Sequence, residues 1–270
     1  MIVNHAWRCL RGVLMREALR FVHQRERFAA ALVRPLIWLL VFAAGFRAAL
    51  GVSIIPPYET YIPYEVYIAP GLVAMIQLFN GMQSSLSMVY DREMGSMRTL
   101  LVSPLPRWYL LTCKLLAGVA VSILQVYAFL GICLLFAVDL PYLGLAYVLP
   151  ALIFSGLMLG GLGMLLSSLI RQLENFAGIM NFVIFPMFFL SSALYPLWRM
   201  EESSELLYWI CAVNPFTHAV EMLRFALYQQ FHWQMAGYTL LALVVFVGGA
   251  IWGYDPTRGM MSRRAGAPDG

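Results

Sequence analysis

A polar interruption occupies residues 90–114, which read YDREMGSMRTLLVSPLPRWYLLTCK. It separates two long apolar runs, at about 67–89 and 109–137, each long enough to form a membrane-spanning helix. Apolar and polar side chains recur with helical spacing in its first half, and the prolines within residues 103–106 then stop that helix. The sequence therefore predicts a short amphipathic helix over residues 93–102 that lies along the membrane between two spans.

The composition indicates that lipid surrounds most of this chain. Of its 270 residues, 61% are hydrophobic and 12% charged, with a mean hydropathy of +0.74. A soluble domain is about half apolar and a quarter charged. We therefore predict an all-α integral membrane protein with six transmembrane helices, forming one domain over residues 1–270. The spans are predicted at 30–50, 67–89, 109–137, 145–169, 176–197 and 235–254, which places a six-span bundle in 30–254 and a tail in 255–270.

Residues 5–27 are predicted to form an amphipathic helix at the membrane surface. Trp7, Leu10 and Leu14 belong to a set of apolar side chains spaced three and four residues apart. Arginines, including Arg8 and Arg11, occupy the other side of the same helix. An apolar stripe with a basic opposite face is typical of a helix that lies in the headgroup layer.

The stretch 203–230 predicts a re-entrant helical hairpin between the fifth and sixth spans. It is apolar, but Asn214-Pro215 divides it into two pieces that are each too short to cross a bilayer. Two short helices that dip into the outer leaflet fit better, with protein covering the break in the backbone. Glu221 and Arg224 are three residues apart, so they either pair on one helical face or contact lipid headgroups.

The basic residues predict the orientation of the chain. If the N-terminus is cytoplasmic, 15 of the 18 lysines and arginines fall in cytoplasmic segments, where basic residues concentrate in membrane proteins. We therefore expect a multi-pass protein of a bacterial-type cytoplasmic (inner) membrane, with both termini in the cytoplasm. The polar interruption at 90–114 then lies on the cytoplasmic side.

Motifs for catalysis and cofactor binding are absent from the sequence. It contains neither H-E-x-x-H nor G-x-S-x-G, and its four cysteines lack metal-ligand spacing. No G-x-x-x-x-G-K-[ST] phosphate loop is present. We therefore expect no enzyme activity and no catalytic, cofactor or metal site in this chain, so that energised transport would draw on another chain.

The charge pattern excludes two further classes of protein. The middles of the predicted spans carry no charge, whereas a proton- or sodium-coupled carrier needs an intramembrane acid. The arginines lie beside the spans without interleaved aromatic residues, so we expect no nucleic-acid partner.

Neutral polar residues within the predicted spans have two interpretations. They either join helices by interhelical hydrogen bonds or line a polar path for a substrate. A G-x-x-x-G spacing at residues 156–160 favours close helix packing. The polar residues are Gln77, Asn80, Ser84, Gln125 and Asn181.

Two groups of motifs resemble the type-2 family of ABC transporter permeases. In that family an E-x-G element is followed by hydrophobic residues, Ser-Pro, a basic residue and a Lys or Arg that opens the third span. A second group near the C-terminus contains Asn-Pro, an acid and an arginine, and the similarity covers nearly the whole chain. The matching residues are Glu93, Gly95, Leu100, Leu101, Ser103, Pro104, Arg107 and Lys114 in the first group, and Asn214, Pro215, Glu221 and Arg224 in the second.

The resemblance implies a permease subunit of an ATP-driven ABC exporter. Two permeases, as identical or related chains, would form the translocation path as a dimer, and each would dock an ATPase subunit that binds ATP and Mg²⁺. Residues 93–102 would be the coupling helix, and the hairpin at 203–230 would close the exit for amphipathic or lipid-linked substrates. The residues implied to couple to the ATPase are Glu93, Gly95, Met97, Arg98, Pro104 and Arg107.

Two alternatives stay open from the sequence. One is a haem-exporter-like permease, for which His218 and His232 are candidate outward ligands. The other is a membrane scaffold or assembly factor without transport activity. In each case membrane lipid is a partner.

Overall fold

The computed structural model describes residues 2–23, 25–46, 56–60, 62–93, 105–170 and 172–254, and most of these residues are helical. The all-helical prediction is confirmed for this part of the chain. Three of the helices have 28 to 30 residues, and the others are shorter. The helices are α1 (Ile2–His23), α2 (Arg25–Phe46), α3 (Tyr64–Glu93), α4 (Arg107–Leu135), α5 (Tyr142–Leu169), α6 (Leu173–Phe189), α7 (Leu197–Ser203), α8 (Glu205–Val213), α9 (Pro215–Leu227) and α10 (Trp233–Gly253).

Among the described residues, three helices are long and apolar enough to cross a membrane: those at 108–135, 142–169 and 233–253. Shorter apolar stretches occur at 31–41 in α2 and at 173–189 in α6. The length and composition of these helices are typical of a membrane protein. The count of six spans stays a prediction.

Helix α5 lies at the centre of the bundle, where it packs against α3, α4, α6, α9 and α10. Its contact with α3 is close because glycines face each other across it. A Cβ atom placed on Gly163 would lie 2.8 Å from the carbonyl oxygen of Gly81, which is closer than real Cβ atoms come. Small residues allow such close backbone approach in membrane bundles, where van der Waals packing drives association.

Helix α3 contains more polar residues than a typical membrane span, but the rest of the bundle covers it. Its first sixteen residues, 64–79, are almost entirely buried against the rest of the bundle. Its hydrogen-bonding side chains therefore face other helices. This explains how a helix that contains Gln77, Asn80 and several serines can occupy the core of an apolar bundle.

Several predicted boundaries were displaced. The amphipathic N-terminal helix ends at His23, and residues 25–27 begin α2. Helix α3, which contains the predicted second span, runs on to Glu93, so the predicted start of the coupling helix is the last residue of α3.

The fifth span ends at Phe189, well before residue 197. At this turn the side chain of Ser191 bonds to the backbone: its Oγ donates to the carbonyl oxygen of Phe188 at 2.6 Å and accepts from the N–H of Ala193 at 3.2 Å. The turn at 191–194 is buried, so hydropathy does not distinguish it from a helix.

Candidate functional site

Most of the predicted coupling segment lies outside the described residues. Gly95, Met97, Arg98 and Pro104 belong to residues 94–104, which the structure does not describe. Glu93 is exposed at the end of α3, and Arg107 is the first residue of α4. The coupling role of these six residues therefore stays a prediction.

An ion pair joins α3 and α4 just beside this segment. Lys114 Nζ donates to Asp91 Oδ2 at 3.1 Å, and the two side chains are 8% and 22% exposed. A buried ammonium group needs such a partner, because an isolated charge loses its hydration without compensation. In the sequence, Lys114 is recognisable only as a residue at the start of a predicted span. Its pairing with Asp91, 23 residues earlier, was missed because nothing local in the sequence connects the two.

Three of the polar residues of the predicted spans connect helices. Gln77 Nε2 donates to the carbonyl oxygen of Leu152 at 2.7 Å, and Ser155 Oγ donates to Gln77 Oε1 at 2.6 Å, so these bonds join α3 to α5. Asn80 Nδ2 donates to Gln125 Oε1 at 2.6 Å, which joins α3 to α4. In this arrangement their amides are engaged in packing.

The space beside these residues is small. Gln77 and Ser84 border a cavity of about 10 Å³ between α3, α4 and α5. That volume holds about one water molecule and no larger ligand. Asn181 lies apart from this cluster, on the exposed side of α6.

Asn214 connects the two halves of the predicted hairpin to α6. Helix α8 ends before it and α9 begins after it, with Pro215 in the first turn, where the missing N–H costs nothing. Its Oδ1 accepts from the backbone N–H of Phe216 at 2.9 Å and so caps α9. Its Nδ2 donates to the carbonyl oxygens of Met187 at 2.8 Å and Leu190 at 2.6 Å, at the end of α6.

Arg224 is the most enclosed charge in the described part of the chain, with a side chain that is 2% exposed. It forms an ion pair with Glu221, one turn earlier on α9. Its Nη2 donates to the carbonyl oxygen of Ser192 at 3.0 Å and weakly to that of Tyr67 at 3.4 Å. The guanidinium carbon also lies 4.0 Å from the centre of the Tyr67 ring, a cation–π geometry.

Glu221 balances the charge of Arg224, because the tyrosines around Arg224 are neutral. Burial raises the pKa of Tyr58 well above its ordinary value, and it raises the pKa of Tyr228 to about 12. Both phenols therefore stay neutral at physiological pH. The hydroxyl of Tyr67 donates to the same Ser192 oxygen at 3.0 Å, so α3, α9 and the turn after α6 meet at one carbonyl.

The two candidate haem ligands are engaged in packing. His218 Nδ1 lies 3.3 Å from Met235 Sδ, and its ring packs on Tyr238. His232 Nδ1 accepts from the backbone N–H of Met235 at 3.4 Å and so caps α10. Among the residues that were described, no three His, Cys, Asp or Glu side chains are grouped so that they could hold a metal ion.

Several proteins are similar in sequence to this chain, and two of the three described here are named as permeases. A protein of Escherichia coli K12 named as a multidrug ABC transporter permease, YbhR, is 33% identical over 163 residues, which are 59% of this chain and 44% of YbhR. A transport permease named ycf38 in Cyanophora paradoxa is 25% identical over 80% of this chain and 77% of its own length. Nodulation protein J of Rhizobium leguminosarum bv. viciae is 24% identical over 72% and 71% of the two chains.

The match to YbhR therefore spans less than half of that protein's length. A more general match covers most of the chain: residues 9–228 fit the family of ABC-2 type transporters. That range runs from the amphipathic helix α1 to the end of the α8–α9 hairpin and includes the Lys114–Asp91 pair, the Asn214 bonds and the Arg224 contacts. The chain belongs to the ABC-2 type transporter family.

Proposed function

We propose that this chain is the membrane-spanning permease subunit of an ATP-driven exporter and is coupled to a separate ATPase chain. The observation that carries the proposal is the Lys114–Asp91 ion pair, which ties α3 to α4 on either side of residues 94–104. A force applied to that segment would therefore move both helices together. Because the sequence has no phosphate loop, the force comes from ATP hydrolysis by a partner.

Helix α3 offers a route for that force to the other end of the molecule. Asp91 lies near its last turn and Tyr67 near its first, about 36 Å apart at 1.5 Å per residue. Tyr67 contacts Arg224 and thereby α9. A shift of α3 along its axis would then displace the α8–α9 hairpin, which we propose closes the exit for amphipathic or lipid-linked substrates.

A second permease copy is proposed to cover α6. This helix exposes Phe182, which is 78% accessible, together with Ile179 and Phe185. Asn181 lies on the same exposed side, and an amide has no hydrogen-bond partner in hydrocarbon. A partner helix, or a polar path between two copies, would satisfy it. A homodimer is the simplest form, and a related second chain would serve equally.

We also infer a placement in the cytoplasmic membrane, with six spans and with both termini inside. This rests on the 15-to-3 distribution of basic residues between the two sides. The variants Arg8→Cys and Glu202→Cys, each in a background without other cysteines, would test this orientation in intact cells. An impermeant maleimide should label the residue at position 202 and not the one at position 8. Labelling of both, or of position 8 alone, would contradict the orientation.

Purification tests the coupling directly. The tagged chain, isolated in mild detergent from cells that express it with its neighbouring genes, should bring an ATP-binding protein with it in equal amounts. Without such a partner, the assembly-factor alternative would be favoured.

Variants of the coupling segment then test its role. Glu93→Ala and Gly95→Leu should abolish transport and the stimulation of ATP hydrolysis while membrane insertion is unchanged. Glu202→Ala, an exposed acid on α7, and Gly131→Leu, where an added Cβ meets no atom within 4 Å, are the matched controls. Undiminished export by both coupling variants would refute the role of this segment.

A further inference from the structure

A cavity of about 620 Å³ lies between α5, α9 and α10, and neither the Lys114–Asp91 pair nor the Arg224–Glu221 pair lines it. Its walls are apolar and aromatic, and they carry no Asp, Glu, Lys or Arg side chain. Such a lining admits a hydrocarbon chain and offers no counter-charge to an ion. The wall residues that the argument uses are Tyr147, Phe154, Met222, Ala236, Gly237 and Leu240.

One end of the cavity is polar. Gln229, Gln230 and His232, in the connection between α9 and α10, line it there. The two amides supply hydrogen-bond donors and acceptors without a fixed charge, although Gln230 Nε2 also donates weakly to the carbonyl oxygen of Pro57 at 3.5 Å, and His232 uses its Nδ1 to cap α10. The site is therefore amphipathic, with an apolar body and an uncharged polar mouth.

The position of the cavity relates it to the lipid bilayer. It extends along the first two turns of α10 and the first half of α5, and both helices have membrane-spanning length. Trp233 and Tyr147 at this level are 81% and 61% exposed. Tryptophan and tyrosine concentrate where a membrane protein meets the headgroup layer. The polar mouth therefore lies at headgroup level, and the apolar body lies at the depth of the acyl chains.

We propose that this cavity binds one acyl chain of a zwitterionic membrane phospholipid whose headgroup is held at Gln229 and Gln230. The apolar walls do not select the lipid by hydrophobicity, because bilayer hydrocarbon is equally apolar. Selection comes from packing in the cavity and from hydrogen bonds at the mouth. A lipid held there would brace α9 against α5 and α10.

A glycine in the cavity wall provides a specific test. A Cβ atom on Gly237 would meet no atom within 4 Å, so the first atom of a larger side chain fits there, and the ring of Gly237→Phe would occupy part of the cavity. Gly248 lies eleven residues later on α10, on nearly the same face, and is equally open but outside the cavity. Gly248→Phe is therefore a control matched in chemistry, in helix and in helix face.

The full-length chain is placed in nanodiscs that contain a trace of phosphatidylethanolamine with a diazirine in its acyl chain. After irradiation, mass spectrometry should find the label concentrated on the wall residues of α5, α9 and α10. Gly237→Phe should lose this labelling and Gly248→Phe should keep it. Labelling spread evenly over the exposed sides of the helices, or labelling unchanged by Gly237→Phe, would overturn the proposal.

The headgroup is tested separately. Gln229 has a φ of 60°, a conformation that glycine adopts without strain, so Gln229→Gly removes the amide and leaves the backbone undisturbed. Occupancy by the phosphatidylethanolamine probe should fall about threefold, the effect of one hydrogen bond inside a membrane. An anionic phosphatidylglycerol probe should label the wild-type wall residues less than phosphatidylethanolamine does.

Stronger labelling by phosphatidylglycerol would refute the zwitterionic assignment. Crosslinks between two copies of the chain at these residues would instead assign the cavity to a protein interface. The measurement uses neither ATP nor an ATPase, so its failure leaves the proposed transport function untouched.

Discussion

The two ends of α3 are held by charged side chains in different ways. Near its last turn, Asp91 pairs with Lys114 of α4, and its carboxylate is 22% exposed. Near its first turn, Tyr67 contacts Arg224 of α9. Arg224 pairs with Glu221 on its own helix, donates to two carbonyl oxygens and is 2% exposed. Water reaches part of the acid in both pairs, Asp91 at 22% and Glu221 at 14%, but it reaches the Arg224 side chain, at 2%, less than that of Lys114, at 8%. We conclude that separating α3 from α9 at Arg224 costs more free energy than separating α3 from α4 at Lys114.

The largest effect is expected for Arg224→Met. It leaves the Glu221 carboxylate, which is only 14% exposed, without its partner and removes the donors to Ser192 and Tyr67. Breaking a buried pair on one side costs about 3–5 kcal/mol. Thermal unfolding of the purified chain, followed by tryptophan fluorescence, should show a large fall in the midpoint. Arg199→Met, at an exposed arginine, is the control.

The double variant Arg224→Met with Glu221→Met sharpens this result. It removes both charges, so it should recover part of the lost stability. If the double variant were less stable than Arg224→Met alone, the buried unpaired carboxylate would not be the cause of the loss.

Asn214→Ala is expected to cost about 2 kcal/mol, because it removes the cap of α9 and the donors to the end of α6. Asn214→Ser keeps a cap oxygen but loses those donors, so it should cost about half as much. The same unfolding measurement separates them. Equal losses in the two variants would show that the cap contributes nothing.

Lys114→Met is expected to cost about 1–2 kcal/mol, since the remaining Asp91 is partly hydrated. This is less than the effect at Arg224 and would support the contrast between the two ends of α3. The change should nevertheless lower ATPase stimulation strongly if the pair couples α3 to α4. Arg8→Met, at an exposed position on α1, is the control for lost positive charge. A stability loss as large as that of Arg224→Met would contradict the comparison.

The smallest effect is expected for Gln77→Met, between the two ends. It removes two hydrogen bonds to α5, but Ser155 keeps its bond to the carbonyl oxygen of Ala151. Polar contacts between membrane helices contribute about 1 kcal/mol. A small shift of the unfolding midpoint with transport intact would favour a packing role for Gln77. Loss of transport at unchanged stability would favour a polar path instead.

Local patterns in the sequence predicted several features of the α8–α9 hairpin. The division at Asn214-Pro215 follows from the proline, and the three-residue spacing placed Glu221 and Arg224 on one face of α9. Both features depend on neighbours along the chain, so helix geometry alone predicts them. Contacts between distant residues were not predictable in this way. Arg224 and Tyr67 are 157 residues apart, and the turn that receives Arg224 lies inside a segment whose hydropathy predicted a helix.

Taken alone, the sequence determined that the chain is helical, that lipid surrounds it, and that its polar interruption separates two apolar helices. Composition and periodicity encode these properties because each residue contributes to them independently. Only the tertiary structure decided which polar groups are partners across different helices. A buried charge or amide must find its partner wherever the fold brings one, and for Lys114, Gln77 and Arg224 the partners lie on other helices or in a distant turn.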